Sequence, residues 1–143
     1  MNSKREQALQ GLFLMLQSLS GTTVLRNEPL PTQVPAGGLV VLRDGDTGEP
    51  EMLLSPVRYI YQHEAELEVL VQDTKQTSRD AKLDALLQAI GVLLEQNRTL
   101  NGVVDYAHAA APELLHEAVD GAPTLKAASV AIILEYATTN PLQ

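Results

Sequence analysis

Apolar residues near the start of the chain recur at intervals of three and four. Leu9, Leu12, Phe13, Leu16 and Leu19 form one stripe, with Gln7, Gln10, Gln17 and Ser18 on the other side. That spacing predicts an amphipathic helix. Ser3 and Glu6 stand at capping-box spacing, where each side chain can satisfy the other's backbone N–H, and Gly21 supplies a helix stop. Leu14 falls off the stripe, on the polar side. A lone exposed leucine is usually an ordinary surface feature, and Leu14 is kept as a candidate subunit contact.

The pattern then changes period. Thr22 to Arg26 is short and β-prone, and Asn27 to Gly38 holds three prolines and two glycines and reads as a long loop. Leu39 to Leu42 and Met52 to Leu54 are short strand candidates. The turn-rich Asp44-Gly45-Asp46-Thr47-Gly48-Glu49-Pro50 between them predicts a hairpin. From Tyr59 to Gln72 the alternation is long: Tyr59, Tyr61, His63, Ala65, Leu67, Val69 and Val71 on one parity, Gln62, Glu64, Glu66, Glu68 and Gln72 on the other. Ile60 and Leu70 are the exceptions. Such a strand has one packed face and one wet face.

A second helix is predicted after it. Leu83, Leu86, Leu87, Ile90, Leu93 and Leu94 line one side, opposite Asp84, Gln88 and Glu95. Thr77 with Asp80 offers a capping box and Ser78 an alternative cap; the end is expected near Gln96 or Asn97, since asparagine tolerates left-handed geometry. Val103 to Tyr106 suggests a short strand. Ala107 to Asp120 is ambiguous between helix and irregular chain, because its alanines favour helix and Pro112 interrupts it. Ala127 to Thr138 alternates again, with Ala128, Val130, Ile132, Leu134 and Tyr136 sharing a face. Its other face is also largely apolar, which predicts a central strand. The order of elements gives a single α+β domain over residues 1–143, a mainly antiparallel sheet with two main helices packed on one face.

Composition narrows the function classes. With 143 residues the chain can bury a core without metal or disulfide. Aromatic residues are 3 %, too few for a platform on which bases stack. The formal net charge is −8, which disfavours direct duplex binding, so no specific nucleic-acid contact is expected. The absence of cysteine removes thiolate chemistry and the common structural zinc sites. The N-terminal segment is basic and then apolar, but Gln10 and Gln17 interrupt it and its period is helical, so it reads as a helix of the fold and not a signal peptide. No apolar run reaches the length of a membrane span, and no membrane partner is expected.

Candidate chemistry is sparse. His108 and His116 lie eight apart around Pro112, a spacing no common metal motif uses, and His63 sits on the packed parity of its strand. Asp44 to Gly48 begins like a calcium loop, yet its sixth position is Glu49 and its twelfth Ser55. Ala36-Gly37-Gly38 lacks the lysine and following helix of a phosphate loop. No metal and no cofactor is expected. Glu64, Glu66 and Glu68 are the most unusual group, stacked roughly 7 Å apart on one strand face. Two carboxylates can serve as acid and base only in a concave, partly dry site. A row of this kind is more often a solvated face, and it also discourages edge-to-edge aggregation. On the residues alone two other classes stay open: a small cytosolic enzyme built on the acidic row, and a ligand-binding or adaptor domain. A pocket joining Glu66 to His63 would favour the enzyme, although their side chains point to opposite faces.

Three stretches together carry a resemblance. Tyr61 to Val71 has the form Tyr-x6-Glu-Val-x-Val. Leu93-Leu94-Glu95-Gln96-Asn97-Arg98-Thr99-Leu100-Asn101-Gly102 closes the second helix in the manner of Asp-x-Thr-Leu-Gly-Gly, with Asn97 in place of Asp and Asn101 in place of the first Gly. Both replacements suit turn geometry. Asp120-Gly121-Ala122 then precedes a long strand ending Tyr136-Ala137-Thr138-Thr139. With the amphipathic N-terminal helix and the Pro-rich loop, nearly the whole chain resembles the tail terminator (minor tail, tail-completion) proteins of long-tailed phages and prophages.

That resemblance implies a sheet with helices on one face and a structural, non-enzymatic role. Copies would form a ring, six when assembled, that caps the tail tube and joins it to the head. The partners would be the chain itself, the tail tube protein and a head-completion protein; the location would be the virion tail, after assembly in the host cytoplasm. Glu64, Glu66 and Glu68 would then face a channel or an interface, since a passage for DNA should not retain it. Asp44, Asp46 and Glu49 would belong to a docking loop. This loop and Asn27 to Gly38 are expected to be mobile in the isolated chain.

Overall fold

A computed structural model describes residues 1–115 and 124–143. In chain order its elements are α1 (Lys4–Leu16), β1 (Thr23–Arg26), β2 (Leu39–Asp46), β3 (Glu51–Leu53), β4 (Arg58–Gln72), α2 (Gln76–Gln96), β5 (Tyr106–Ala109), β6 (Glu113–Leu114) and β7 (Leu125–Thr138). The strands form one sheet in the order β1-β2-β4-β7-β5, with β3 also paired to β4 and β6 to β7. β1 and β2 run parallel and the other pairs are antiparallel. The fold is α+β, as the alternation of periods predicts.

The two long alternating segments pair with each other along their length, from Tyr59 opposite Thr138 to Gln72 opposite Leu125. This register puts Tyr61, Ala65, Leu67 and Val69 of β4 on the same side as Val130, Ile132, Leu134 and Tyr136 of β7, all buried. α1 and α2 both cover that side, through Leu9, Leu12 and Leu16 from the first helix and Leu83, Leu86, Ile90 and Leu94 from the second. Each such leucine or isoleucine contributes about 1.5–3 kcal/mol over its exposed state. A smaller cluster of Val34, Leu39, Val41, Leu70 and Leu125 occupies one end of the opposite face. It accounts for Leu70, the apolar exception among the polar positions of β4.

Several local expectations are corrected. Leu39–Leu42 and Met52–Leu54 do not form a hairpin with each other. β4 offers a 15-residue backbone, so β2 and β3 both pair with it, as two collinear pieces of an interrupted strand. The reversal into β4 comes instead at Leu54 to Val57. Asp44 and Asp46 therefore lie within β2, and of the three proposed docking residues only Glu49 is in a loop. The register shifts between Arg43 and Asp46, where three residues of β2 advance against two of β4. This is a β-bulge. Gly45 sits there with φ +71°, and a Cβ at that position would strike the Glu64 carbonyl oxygen.

The helix ends differ as well. Ser3 caps α1 by accepting the Glu6 N–H at 3.1 Å, but the Glu6 carboxylate does not return the bond, because it holds Arg26. The helix closes at Leu16 and single turns lead to Gly21. α2 begins at Gln76, before Thr77 and Ser78, and no side chain caps it. Asp73 takes over the turn after β4: its carboxylate accepts the Lys75 N–H at 3.0 Å and pairs with Lys82 at 2.8 Å, contacts that hold it below its ordinary value in that order. Asp80 pairs with Lys126 at 2.6 Å.

Asn97 ends α2 at φ −148°, outside the left-handed region; Leu100, Asn101 and Gly102 adopt that conformation instead. Val103 and Val104 belong to this turn, so the short strand starts later, at Tyr106. Residues 113 and 114 add a two-residue strand to the ambiguous segment. His116 and the Asp120-Gly121-Ala122 motif lie outside the described residues. The Pro-rich loop is tethered at Val34, which is buried and whose N–H donates to Gln72 Oε1 at 3.0 Å.

Candidate functional site

Because both helices lie on one side of the sheet, much of the other side is left uncovered. The even positions of β4 point there, with Glu64 and Glu66 exposed and Glu68 half-buried. Cross-strand register gives each a distinct neighbourhood: Asp46 and Ile133 flank Glu64, Arg43 and Ala131 flank Glu66, and Val41 and Ser129 flank Glu68. Glu68 pairs with Arg43 at 3.2 Å, and Glu66 accepts the Ser129 hydroxyl at 2.7 Å. A shallow groove of about 310 Å³ lies on this surface, lined by Ser129 and Ala131 and rimmed by Asp46, Glu64, Glu66 and Glu113.

The three glutamates thus share one face, as the alternation predicts. The groove is open and its rim carboxylates are solvated, so it lacks the dry walls that separate an acid from a base. Among the described residues, no three His, Asp or Glu side chains converge as a metal site. No described helix is long and apolar enough to cross a membrane.

His63 points the opposite way from Glu66 and is buried. Its Nε2 lies 2.6 Å from the Asp44 carbonyl oxygen, and its Nδ1 lies 2.8 Å from the Tyr136 hydroxyl. A carbonyl only accepts, so Nε2 carries the proton and donates it, while Nδ1 accepts from Tyr136. Burial pushes the Tyr136 phenol up to about 12. His63 is therefore a satisfied core histidine, and it pins β2 beside the Gly45 bulge. His108 lies at the margin of the open face, opposite Ile133 and beside the Tyr106 ring, over which the Arg98 guanidinium sits at 5.4 Å.

Asp44 joins a second network that the sequence reading missed. Arg26 grips Glu6 with two hydrogen bonds of 2.7 and 2.8 Å and reaches Asp44 at 3.0 Å, while Asn27 also donates to Asp44 at 3.0 Å. The hydrogen bond from Arg26 holds the Glu6 carboxyl below the ordinary carboxylate range, and Glu6 in turn raises Arg26 further. These contacts tie α1, β1 and β2 together. The available signal was Arg26 itself, a cation on the parity of β1 that Val24 buries. Asp44 is thus a structural residue of the strand. Asp46 accepts the Gly48 N–H at 2.9 Å, and Glu49 is exposed. Leu14 is exposed on α1, beside a groove between the helices.

No family model matches the chain, and no curated protein matches it. Among solved structures, a chain described as "Virion of native gene transfer agent (GTA) particle" is similar at 13 % identity, with a TM-score of 0.43, over 94 % of this chain and 92 % of that one.

Proposed function

We propose that this chain is a structural protein of a phage-like particle, one that caps the tail tube as a ring and forms the joint to the head. The uncovered acidic face carries the reading. A sheet face that presents Glu64, Glu66 and Glu68 to solvent can line a passage through which a polyanion slides without adhering. The exit from α2 supports the resemblance on which the finer role rests. Asn101 stands where the family pattern has glycine, and it adopts φ +61° between Leu100 and Gly102, which are also left-handed. The substitution keeps the turn.

Paired triple variants test the proposal. Changing Glu64, Glu66 and Glu68 together to Gln removes the half-buried Glu68–Arg43 ion pair, worth about 1 kcal/mol, and relieves repulsion along the row, so folding is retained. Changing all three to Lys adds two charges at each site and takes the formal net charge from −8 to −2, which turns the face attractive to DNA. Particles complemented with the Lys variant should join heads poorly or retain DNA during ejection. Infectious particles at wild-type titre would remove the channel role. An enzymatic activity in the wild type that the Gln variant loses would favour the alternative of a small enzyme on this face.

A further inference from the structure

The outer edges of the sheet are unequally protected. At β5 the edge is closed: Ala107 donates its N–H to the Arg98 carbonyl at 2.7 Å, and the Arg98 guanidinium donates to the Ala107 carbonyl at 3.1 Å. At β1 it is open. Thr23 donates to Gly38 and Asn27 to Leu42, so the odd residues bond to β2 and the backbone N–H and C=O of Val24 and Arg26 point away from the sheet. β3 is open as well. The same alternation, carried through β2 and β4, makes Glu51–Ile60 and Leu53–Arg58 the hydrogen-bonded pairs and turns the Met52 backbone outward. Among the described residues, none bonds to the outward backbone of Val24 or Met52. Unpaired rows of this kind are templates for a further strand.

The two open edges form a step. β2 and β3 lie on the same side of β4, and β1 adds one further strand beside β2 and none beside β3. Val24 stands level with Val69 of β4 and Met52 level with Tyr59, ten residues away, and β1 and β3 run in the same direction. We infer that a second copy fills this step about a two-fold axis normal to the sheet, β1 of each copy adding antiparallel to β3 of the other. The outline of the edge selects this occupant. Half a turn about a point level with Glu64 carries the β1 ledge of one copy into the notch beside β3 of the other, and the same fit recurs at the far end. It sets Val24 opposite Met52, both with backbone turned outward, as a pair that exchanges two hydrogen bonds. Both side chains point to the helix side, as those of directly opposed residues must: Val24 lies in the main core and Met52 is paired with Tyr59, which packs against that core. A strand from another protein would fill the notch and leave the ledge bare. The contact is isologous, so it stops at two copies. It covers Met52 and Leu53, apolar side chains that the fold leaves exposed. The inference goes beyond the capping role, since a pair forms whether or not a ring does.

Two sets of variants test the pairing. Met52→Pro removes an outward N–H and no bond to β4, a change an edge strand tolerates, while Met52→Ala keeps that N–H. In sedimentation velocity the wild type should show a monomer–dimer equilibrium. Met52→Pro should weaken it at least roughly tenfold with little change in thermal unfolding, and Met52→Ala should still pair. The chain has no cysteine, so a disulfide can report the register directly. Thr23→Cys and Leu53→Cys face each other across each contact, but within one chain they are about 40 Å apart. Under mild oxidation the double variant should give a disulfide dimer and nothing larger, and each single variant only monomer. A wild type that stays monomeric, with no disulfide dimer from the double variant, would overturn the pairing and leave the step to a strand of another protein. A disulfide ladder beyond the dimer would overturn the two-fold arrangement. An undiminished dimer for Met52→Pro, or equal weakening by Met52→Ala, would overturn pairing through the backbone.

Discussion

Replacing Tyr136 by Phe removes one oxygen from the centre of the sheet, and the structure states what should follow. The ring keeps its place, stacked on Tyr61 with centroids 5.5 Å apart. The loss falls on His63, 1 % exposed, whose Nδ1 then has no donor. The other neutral tautomer gives no escape, because it would set a bare Nε2 against the Asp44 carbonyl, acceptor against acceptor. A buried polar group left unsatisfied costs about 1–3 kcal/mol. For a domain of this size, a loss of about 2 kcal/mol lowers Tm by roughly 6–10 °C. The assay is thermal and urea unfolding of Tyr136→Phe against Tyr61→Phe, whose hydroxyl bonds no described residue and whose removal should stay within about 0.5 kcal/mol. In a His63→Leu background the hydroxyl has lost its acceptor, so Tyr136→Phe should cost much less there, a coupling of about 0.5–3 kcal/mol. Equal stability of the two tyrosine variants, or no coupling in the cycle, would refute the argument.

Other substitutions probe the remaining links. Ile90→Asp or Leu86→Asp places an unpaired charge in the helix–sheet core and should cost several kcal/mol, seen as loss of the cooperative melt. Gly45→Ala forces a Cβ against the Glu64 carbonyl at positive φ and should destabilise by roughly 1–3 kcal/mol in urea melts. Glu6→Gln tests the network at Arg26 through pH. The folded carboxyl lies below its unfolded value of 4.5, so its stabilisation is present above that pH and fades as pH falls through the folded value. The gap in Tm between wild type and Glu6→Gln should therefore be full at pH 7 and close in that acid window.

Much of the molecule is legible in the one-dimensional pattern. A period of two from Tyr59 and from Ala127, and periods of three and four around Leu12 and Leu86, state which side of each element meets the core. They did so correctly, because burial of apolar area acts on every residue of an element at once. The glutamate row was readable for the same reason: once Leu67 is inside, Glu66 and Glu68 are outside. Leu14 came out exposed because the helix stripe could not include it.

Pairing and polar partners were decided elsewhere. Short segments such as Leu39–Leu42 and Met52–Leu54 carry no record of their partner, and each took the long β4 over the other because β4 had backbone to spare. Ser3 caps α1 as its spacing predicts, but Glu6 went to Arg26 instead of closing the box, and α2 starts before Thr77, with Asp80 paired to Lys126 instead of capping. Hydrogen bonds and ion pairs act over about 3 Å between single atoms, so sequence spacing says little about which pairs form. The join of His63 to Tyr136, 73 positions away, and of Arg26 to Glu6 and Asp44 exists only once the sheet register and the helix packing have brought those atoms together.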